Sequence, residues 1–368
     1  MVTIENRQIL IDGKPELILS GEIHYYRLDK KDWQDRITKL KAAGMNTVAT
    51  YIPWLCHEPQ EGAFDLDGHT RPELDIKGFI QLCEDNGLYV IVRPGPFIMA
   101  EMKNEGIPHW VAKKYPDVVP VSWDGKKITG YTLDYLNPNF LECTKKWYAQ
   151  IMPVIAEHLQ GKGGKVIGVQ LDNEIGMLSW CTNCPDLTDI VLEDMNGFLK
   201  EQYSEDELKE KYPFDINDKE AFADGIRSPK ESYVLTLKKD LGHYMRRRYA
   251  KYVAVLTEYA KAFGVTDIPY LVNIHGTGGG RGFTYMIGIS QLYEAYTQSD
   301  EILPGSDIYL GDMTLDKFHD LYLINAYMEA VNRENQPLAS FEFECGDANY
   351  AEAHSARTDV SAVDIKAR

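Results

Sequence analysis

The sequence predicts an α/β fold of the TIM (β/α)8-barrel type, and three observations lead there. Seven short runs, at 16–23, 46–52, 89–93, 166–171, 269–274, 307–310 and 338–343, are mostly β-rich and near-continuously apolar. That pattern is expected of parallel strands buried on both faces. Helix-prone stretches separate the runs, which makes repeated βαβ units with right-handed crossovers. Acidic residues recur where the runs end, at the rim on which barrels of parallel strands build their sites.

The helices follow from their ends. The stretch 29–43 has Asp29 as a candidate N-cap and stops at Gly44, a residue suited to the position just past a helix. The stretch 74–86 stops in the same way at Gly87. Two longer helices are expected at 140–159 and 232–263, the second ending at Gly264. The span 186–230 is charged and helix-prone (LKEQYSEDELKEKY) and reads as a helical excursion within the barrel. It is either a solvated surface or a lid or partner face. No fixed-period repeat, low-complexity tract or Pro/Ser-rich linker interrupts the chain, so residues 1–368 are expected to form one barrel domain.

Composition narrows the function. The formal charge is −17, which argues against nucleic acid or an anionic membrane surface as partner, because both call for a basic footprint. A hydrophobic content of 44% excludes overall disorder. Aromatics are 11%, with 23 Tyr, which suits a site that stacks on flat ligand faces as well as an ordinary core. The opening MVTIENRQILIDGK has no basic stretch followed by an apolar core, and no window of about 18 apolar residues occurs. A cytoplasmic protein without a membrane partner is the expectation. The six cysteines then read as reduced thiols. Cys181 and Cys184 form a lone CxxC, which is either half of a zinc site or a loop with two free thiols. No second pair is present, so no metal and no other cofactor is expected.

Five carboxylates stand at the expected C-terminal ends of strands: Glu22, Glu101, Glu174, Glu342 and Glu344. Each alone could cap a helix or form an ion pair. Several together at one rim suggest a site, because a partly buried carboxylate is costly unless paired. Two carboxyls whose environments push their pKa values apart can divide acid and nucleophile work. In glycoside hydrolysis a separation of about 5–5.5 Å gives net retention and ~6.5–9.5 Å gives inversion.

The pair Glu174 and Glu342 lies in segments with a specific resemblance. SGEIHYYRLDKKDWQDRITKLKAAGMNTVATYIPWLCHEPQEGAFD (20–65), YVIVRPGPFIMAEMKNEGIPHWV (89–111) and GGKVIGVQLDNEIG (163–176) resemble blocks of glycoside hydrolase family 35, the β-galactosidases. The resemblance covers residues 9–176. Beyond 176 the chain is more similar to family 42, which also has the barrel and often a zinc-binding cysteine cluster. It implies Glu174 as general acid/base and Asn173 as partner of the sugar 2-hydroxyl. Glu342, five residues after Pro337, is implied as nucleophile, with Glu344 as runner-up. Tyr51, Ala100 and Glu101 are implied to line the subsite of the non-reducing sugar, and Tyr309 to hydrogen-bond the nucleophile. The family pattern is broken by Lys165 for Pro, Asp172 for Glu, Ile175 for an aromatic, Met99 for Cys and Asp347 for Trp. Family 35 chains continue past a segment like DIKAR (364–368) into an eighth strand and β-rich domains, so the expectation is either a fragment that lacks strand 8 or a barrel whose gap another element closes.

The reading is a retaining, exo-acting glycoside hydrolase, foremost a β-galactosidase, acting on a carbohydrate with a terminal β-linked sugar. The alternatives are a β-glucosidase or β-glucosaminidase of the same clan, or a barrel that binds sugar without turnover. A homo-oligomer is compatible with each. The glycine-rich HGTGGGRGF (275–283) has Arg281 where a phosphate cradle needs its third Gly, so it reads as a rim loop. His24 and His57 read as buried hydrogen-bonding groups.

Overall fold

The computed structural model describes residues 1–128, 132–177, 185–274, 300–309 and 315–344. Seven parallel strands form one sheet: β4 (Ser20–Glu22), β5 (Thr47–Tyr51), β6 (Tyr89–Arg93), β7 (Val166–Gln170), β8 (Tyr270–Ile274), β9 (Ile302–Tyr309) and β10 (Ser340–Glu344). Their order in space is their order in the chain, as in a (β/α)8-type barrel. Among the described residues no eighth strand joins β10 back to β4. A three-stranded antiparallel sheet that the sequence reading did not anticipate, β1 (Val2–Glu5), β2 (Gln8–Ile11) and β3 (Lys14–Pro15), precedes the barrel. Its Val2, Ile9 and Ile11 pack on Tyr89, Ile91 and Ile167, near the starts of β6 and β7.

All seven expected strands form, and two of them depart by more than two residues at one end. The first shrinks to Ser20–Glu22 because a side chain occupies the backbone before it: Asn46 accepts from the Leu19 amide (2.9 Å) and donates to the Leu17 carbonyl (2.8 Å). The sixth begins at Ile302, five residues before the expected start, and runs through Pro304-Gly305, a pair that reads locally as a break. Helices α1 (Trp33–Ala42), α3 (Ile76–Asp85), α5 (Pro138–Glu157) and α9 (Val234–Ala262) stand where expected, with α2 (Trp54–His57) and α4 (His109–Lys114) between them. Gly44 has φ +91°, the left-handed conformation its place past α1 requires. Asp29, in contrast, makes no capping hydrogen bond; a 3-10 turn at Lys30–Asp32 intervenes before α1. Among the described residues three helices, α6 (Asp189–Gln202), α7 (Glu205–Lys211) and α8 (Lys219–Arg227), lie between β7 and α9. The last described helix, α10 (Leu315–Val331), connects β9 to β10.

The core matters to the site through α5. Its Trp147 stacks on Trp54 of α2, with ring centroids 6.2 Å apart and planes at 9°. Its indole N–H donates to the Pro94 carbonyl (2.8 Å), and the neighbouring Tyr148 hydroxyl donates to the Gly95 carbonyl (2.6 Å). Both carbonyls follow directly on Arg93, so α5 fixes the backbone that carries that side chain into the barrel mouth. Trp147 is fully buried. Trp147→Ala is therefore expected to lower stability by about 3–5 kcal/mol through cavity formation and a lost hydrogen bond, and Trp147→Phe by less. Denaturant unfolding of the three proteins checks this.

Candidate active site

The site begins as a departure from apolar strand composition. Arg93 in VIVR, Gln170 in VIGVQ, Asn273 in YLVNI and Asp307 in ILPGSDIY are polar residues at or near the ends of their strands. All four are buried. Parallel pairing brings these strand ends to one rim, and the loops that follow add the rest.

Arg93 is the only positive charge inside this cluster among the described residues. Its guanidinium donates to Glu22 of β4, to Glu342 of β10 and to the Asn173 side-chain carbonyl (2.6 Å). It also lies over the Tyr51 ring, 3.9 Å from the centroid, where a cation meets the negative π face. The Tyr51 hydroxyl donates to Glu342 (2.9 Å) and to Asn173 Oδ1 (3.0 Å). Glu342 is thus held by a cation and a hydroxyl, an arrangement that favours an ionised carboxylate.

The Asn173–Glu174 turn is anchored from below. The Gln170 amide donates to the Asp172 carbonyl (3.1 Å) and to the Asn173 (3.1 Å) and Asn273 (3.0 Å) side chains. Asn273 accepts from the Glu174 amide (2.9 Å) and donates to Asn173 (3.1 Å) and Asp307 (2.8 Å). Asp172 accepts from the Asn173 amide (2.7 Å), the Tyr252 hydroxyl of α9 (2.7 Å) and the Phe97 amide (3.4 Å). Asp172 and Glu174 both have positive φ, 65° and 42°, a strained conformation of the kind that gathers at functional sites. Burial pushes the Asp172 carboxyl up to about 7 despite these donors.

Glu174, Asp307 and Glu342 each place a carboxylate oxygen within 4.8 Å of the others. Glu174 is pushed up to about 8, first by burial and then by the charge of Glu342. Asp307, fully buried, is held well above the usual carboxyl range by burial and by both neighbours. The spacing of three acidic oxygens is one a cation could use. The Arg93 guanidinium already sits on Glu342, and among the described residues no His or Cys donor joins the three, so they fit an acid/nucleophile pair better than a metal centre. His24 stacks near Tyr51 and Tyr26, and burial with Arg27 and Arg93 pushes it down to about 4, so it is neutral near pH 7.

Of the residues singled out in the sequence, Glu174, Asn173, Glu342 and Tyr51 converge here. Tyr51 touches Glu342, the contact that the family resemblance assigned to Tyr309. Ala100 and Glu101 lie on the loop that leaves β6, where Met99, Ala100 and Glu101 have φ of 50°, 51° and 50° and the Ala100 carbonyl accepts from Arg27. Their loop is near enough for Glu101 to act electrostatically on Glu174. His57 is buried between the Tyr25 hydroxyl (2.6 Å) and the Asp65 carbonyl (2.5 Å). The side chains of Tyr309 and Glu344, the cysteines Cys181 and Cys184, and the run 275–283 lie outside what the structure describes. Sequence reasoning missed Arg93, Gln170, Asn273, Asp307 and Tyr252. The usable signal for the first four was the polar residue inside an otherwise apolar strand.

A barrel rim carrying buried carboxylates around one arginine is the architecture of a barrel glycosidase. The chain belongs to glycosyl hydrolases family 35, whose family model matches residues 8–204 and so runs past residue 176. Among curated relatives, the beta-1,2-glucosyltransferase of Ignavibacterium album is 32% identical, over 91% of this chain and 47% of that protein. The exo-beta-D-glucosaminidase of Pyrococcus horikoshii is 37% identical, over 72% of this chain and 34% of that protein. The mouse beta-galactosidase is 37% identical, over 47% of this chain and 24% of that protein. The chain thus spans less than half the length of these relatives. The solved beta-galactosidase of the psychrophilic Marinomonas ef1 shares the fold with a TM-score of 0.68 at 14% identity, over 94% of this chain and 50% of that one. No described helix is long and apolar enough to cross a membrane.

The raised pKa of Glu174 has a consequence for stability. Near neutral pH the folded chain holds a proton there that the unfolded chain, with an ordinary carboxyl at about 4.3, has released. This stabilising difference is fully present below the unfolded value and is lost as pH rises through about 8. Glu174→Gln carries no such charge. Its Tm is expected to exceed that of the wild type by a margin that grows from pH 5 to pH 8, as calorimetry at both values would show.

Proposed function

We propose that this chain carries the catalytic centre of a retaining β-glycosidase acting on the terminal sugar of a carbohydrate, with a β-galactoside as the foremost substrate. The observation that carries the reading is the close spacing of Glu174 and Glu342, whose oxygens lie within 4.8 Å. That fits the narrow separation of retaining enzymes and leaves no room for the water that inversion needs.

Glu342, ionised against Arg93 and Tyr51, attacks the anomeric carbon and forms a glycosyl-enzyme ester. Glu174, protonated because it is buried beside another carboxylate, gives its proton to the departing oxygen. It then takes a proton from the incoming water, which releases the sugar and frees Glu342. Asn173 reaches the sugar 2-hydroxyl in this reading, and Ala100 and Glu101 line its outer face.

A second reading is transfer of a glucosyl unit to a sugar acceptor. It is favoured by the beta-1,2-glucosyltransferase whose match extends over 91% of the chain. The same ester serves both outcomes, and the acceptor alone differs.

The test is a panel of nitrophenyl β-glycosides, with and without free sugars as acceptors, using wild type, Glu174→Ala and Glu342→Ala. Each variant is expected to lose at least about 10³-fold in kcat. Azide is expected to rescue Glu342→Ala with an α-glycosyl azide product. Cleavage of the galactoside over the glucoside supports the first sugar assignment, and the reverse preference with disaccharide products supports the second. A folded protein that binds sugars and leaves every glycoside intact overturns both.

A further inference from the structure

Asp307 has no part in the mechanism above, yet it stands at the centre of the site. A bulge puts it there. β10 and β9 pair Ser340 with Ser306 and then Glu342 with Asp307, so one residue of β10, Phe341, is left over. The shift sets the Asp307 and Glu342 positions side by side at the rim.

The groups facing Asp307 are Glu342 from β10, Glu174 from the turn after β7, Arg93 from β6 and the uncharged Asn273 from β8. Glu101 acts on Glu174 from the loop beyond β6. Asn273 donates to one Asp307 oxygen, Oδ2, at 2.8 Å. Oδ1 is buried and finds no hydrogen-bond donor. An Asp307 carboxyl oxygen lies within 4.8 Å of a Glu174 carboxyl oxygen, and the two side chains act on each other directly. Two carboxyls in contact cannot bond unless one carries a proton. The charge count agrees. Arg93 is already shared by Glu22 and Glu342, so among the described residues no cation inside the cluster remains for a further ionised pair.

We propose that Asp307 is a positioning residue for the acid/base, its O–H donating to the Glu174 carboxylate whenever Glu174 has given up its proton. The inference rests on the assignment of Glu174 above. In the resting site Asp307 and Glu174 each hold a proton. When Glu174 passes its proton to the leaving oxygen, a buried carboxylate is created. The Asp307 hydroxyl hydrogen is then its donor, and that hydrogen stays on Asp307 when Glu174 recovers a proton from water.

The experiment compares Asp307→Asn, which keeps a neutral donor of the same shape, with Asp307→Leu, which has none. On the aryl β-glycoside that the wild type cleaves, Asp307→Asn is expected to keep kcat within about tenfold. Asp307→Leu is expected to lose a further 10- to 100-fold in kcat with a smaller change in KM, about the value of one charge-assisted hydrogen bond. The alkaline limb of its pH profile is expected to lie higher than that of Asp307→Asn, because ionised Glu174 has lost its donor. Equal damage in both variants, or a Leu variant with the kcat and profile of the Asn variant, overturns the proposal.

A second readout needs no turnover. Neither variant titrates at position 307, and the other groups that titrate between pH 5 and pH 9, Asp172 among them, are common to both, so the difference between their losses of Tm reports Glu174. The loss is expected to be larger in Asp307→Leu, and parallel curves overturn the proposal. If Asp307→Leu does not fold, the Asn variant decides alone: retention of kcat supports a neutral donor, and loss on the scale of Glu174→Ala sinks it. Failure of the catalytic reading itself shows separately, as full activity in Glu174→Ala.

Discussion

One guanidinium organises the mouth of this barrel. Arg93 is buried among strand ends that each contribute a polar group, and it joins β4, β7 and β10 through Glu22, Asn173 and Glu342. An unpaired cation at that depth would be prohibitive, so the carboxylates around it are as much its requirement as it is theirs. Removing Arg93 would leave Glu342 facing Glu174 and Asp307 without an opposing charge. The aromatic support of Tyr51 and the hold that Trp147 and Tyr148 keep on Pro94 and Gly95 serve the placement of this one side chain.

From that constraint Glu342 and Glu174 come to stand in different surroundings. Glu342 has the cation and a tyrosine hydroxyl, whereas Glu174 has burial and negative neighbours. Two residues of one type are thus set apart by their surroundings. Asn273 links the halves, since it touches the Glu174 amide, Asn173 and Asp307. The strained Asp172 and Glu174 backbone is held by Tyr252 from a helix about eighty residues away. The site is preorganised from outside its own strand ends.

Much of the fold was legible in the sequence because buried parallel strands are near-continuously apolar, and because glycine ends helices for steric reasons. Errors fell where a side chain or a turn-forming pair overrode that local pattern. Asn46 took the backbone groups that would have lengthened β4, and Pro304-Gly305 hid the first half of β9. The short strands of the opening sheet lack the length and periodicity that make a pattern readable.

By itself the sequence determined the barrel class and where most of the strands lie, and it pointed to Glu174, Asn173, Glu342 and Tyr51 as candidates. Those depend on local composition and on long motifs with a family resemblance. It could not determine which groups meet. Contacts across a barrel depend on strand register, and a single bulge at Phe341 sets the register that brings Glu342 beside Asp307. How far each of these carboxyls is pushed towards its charged or its neutral form depends on burial and on one shared cation, quantities that exist only when β4 to β10 stand together.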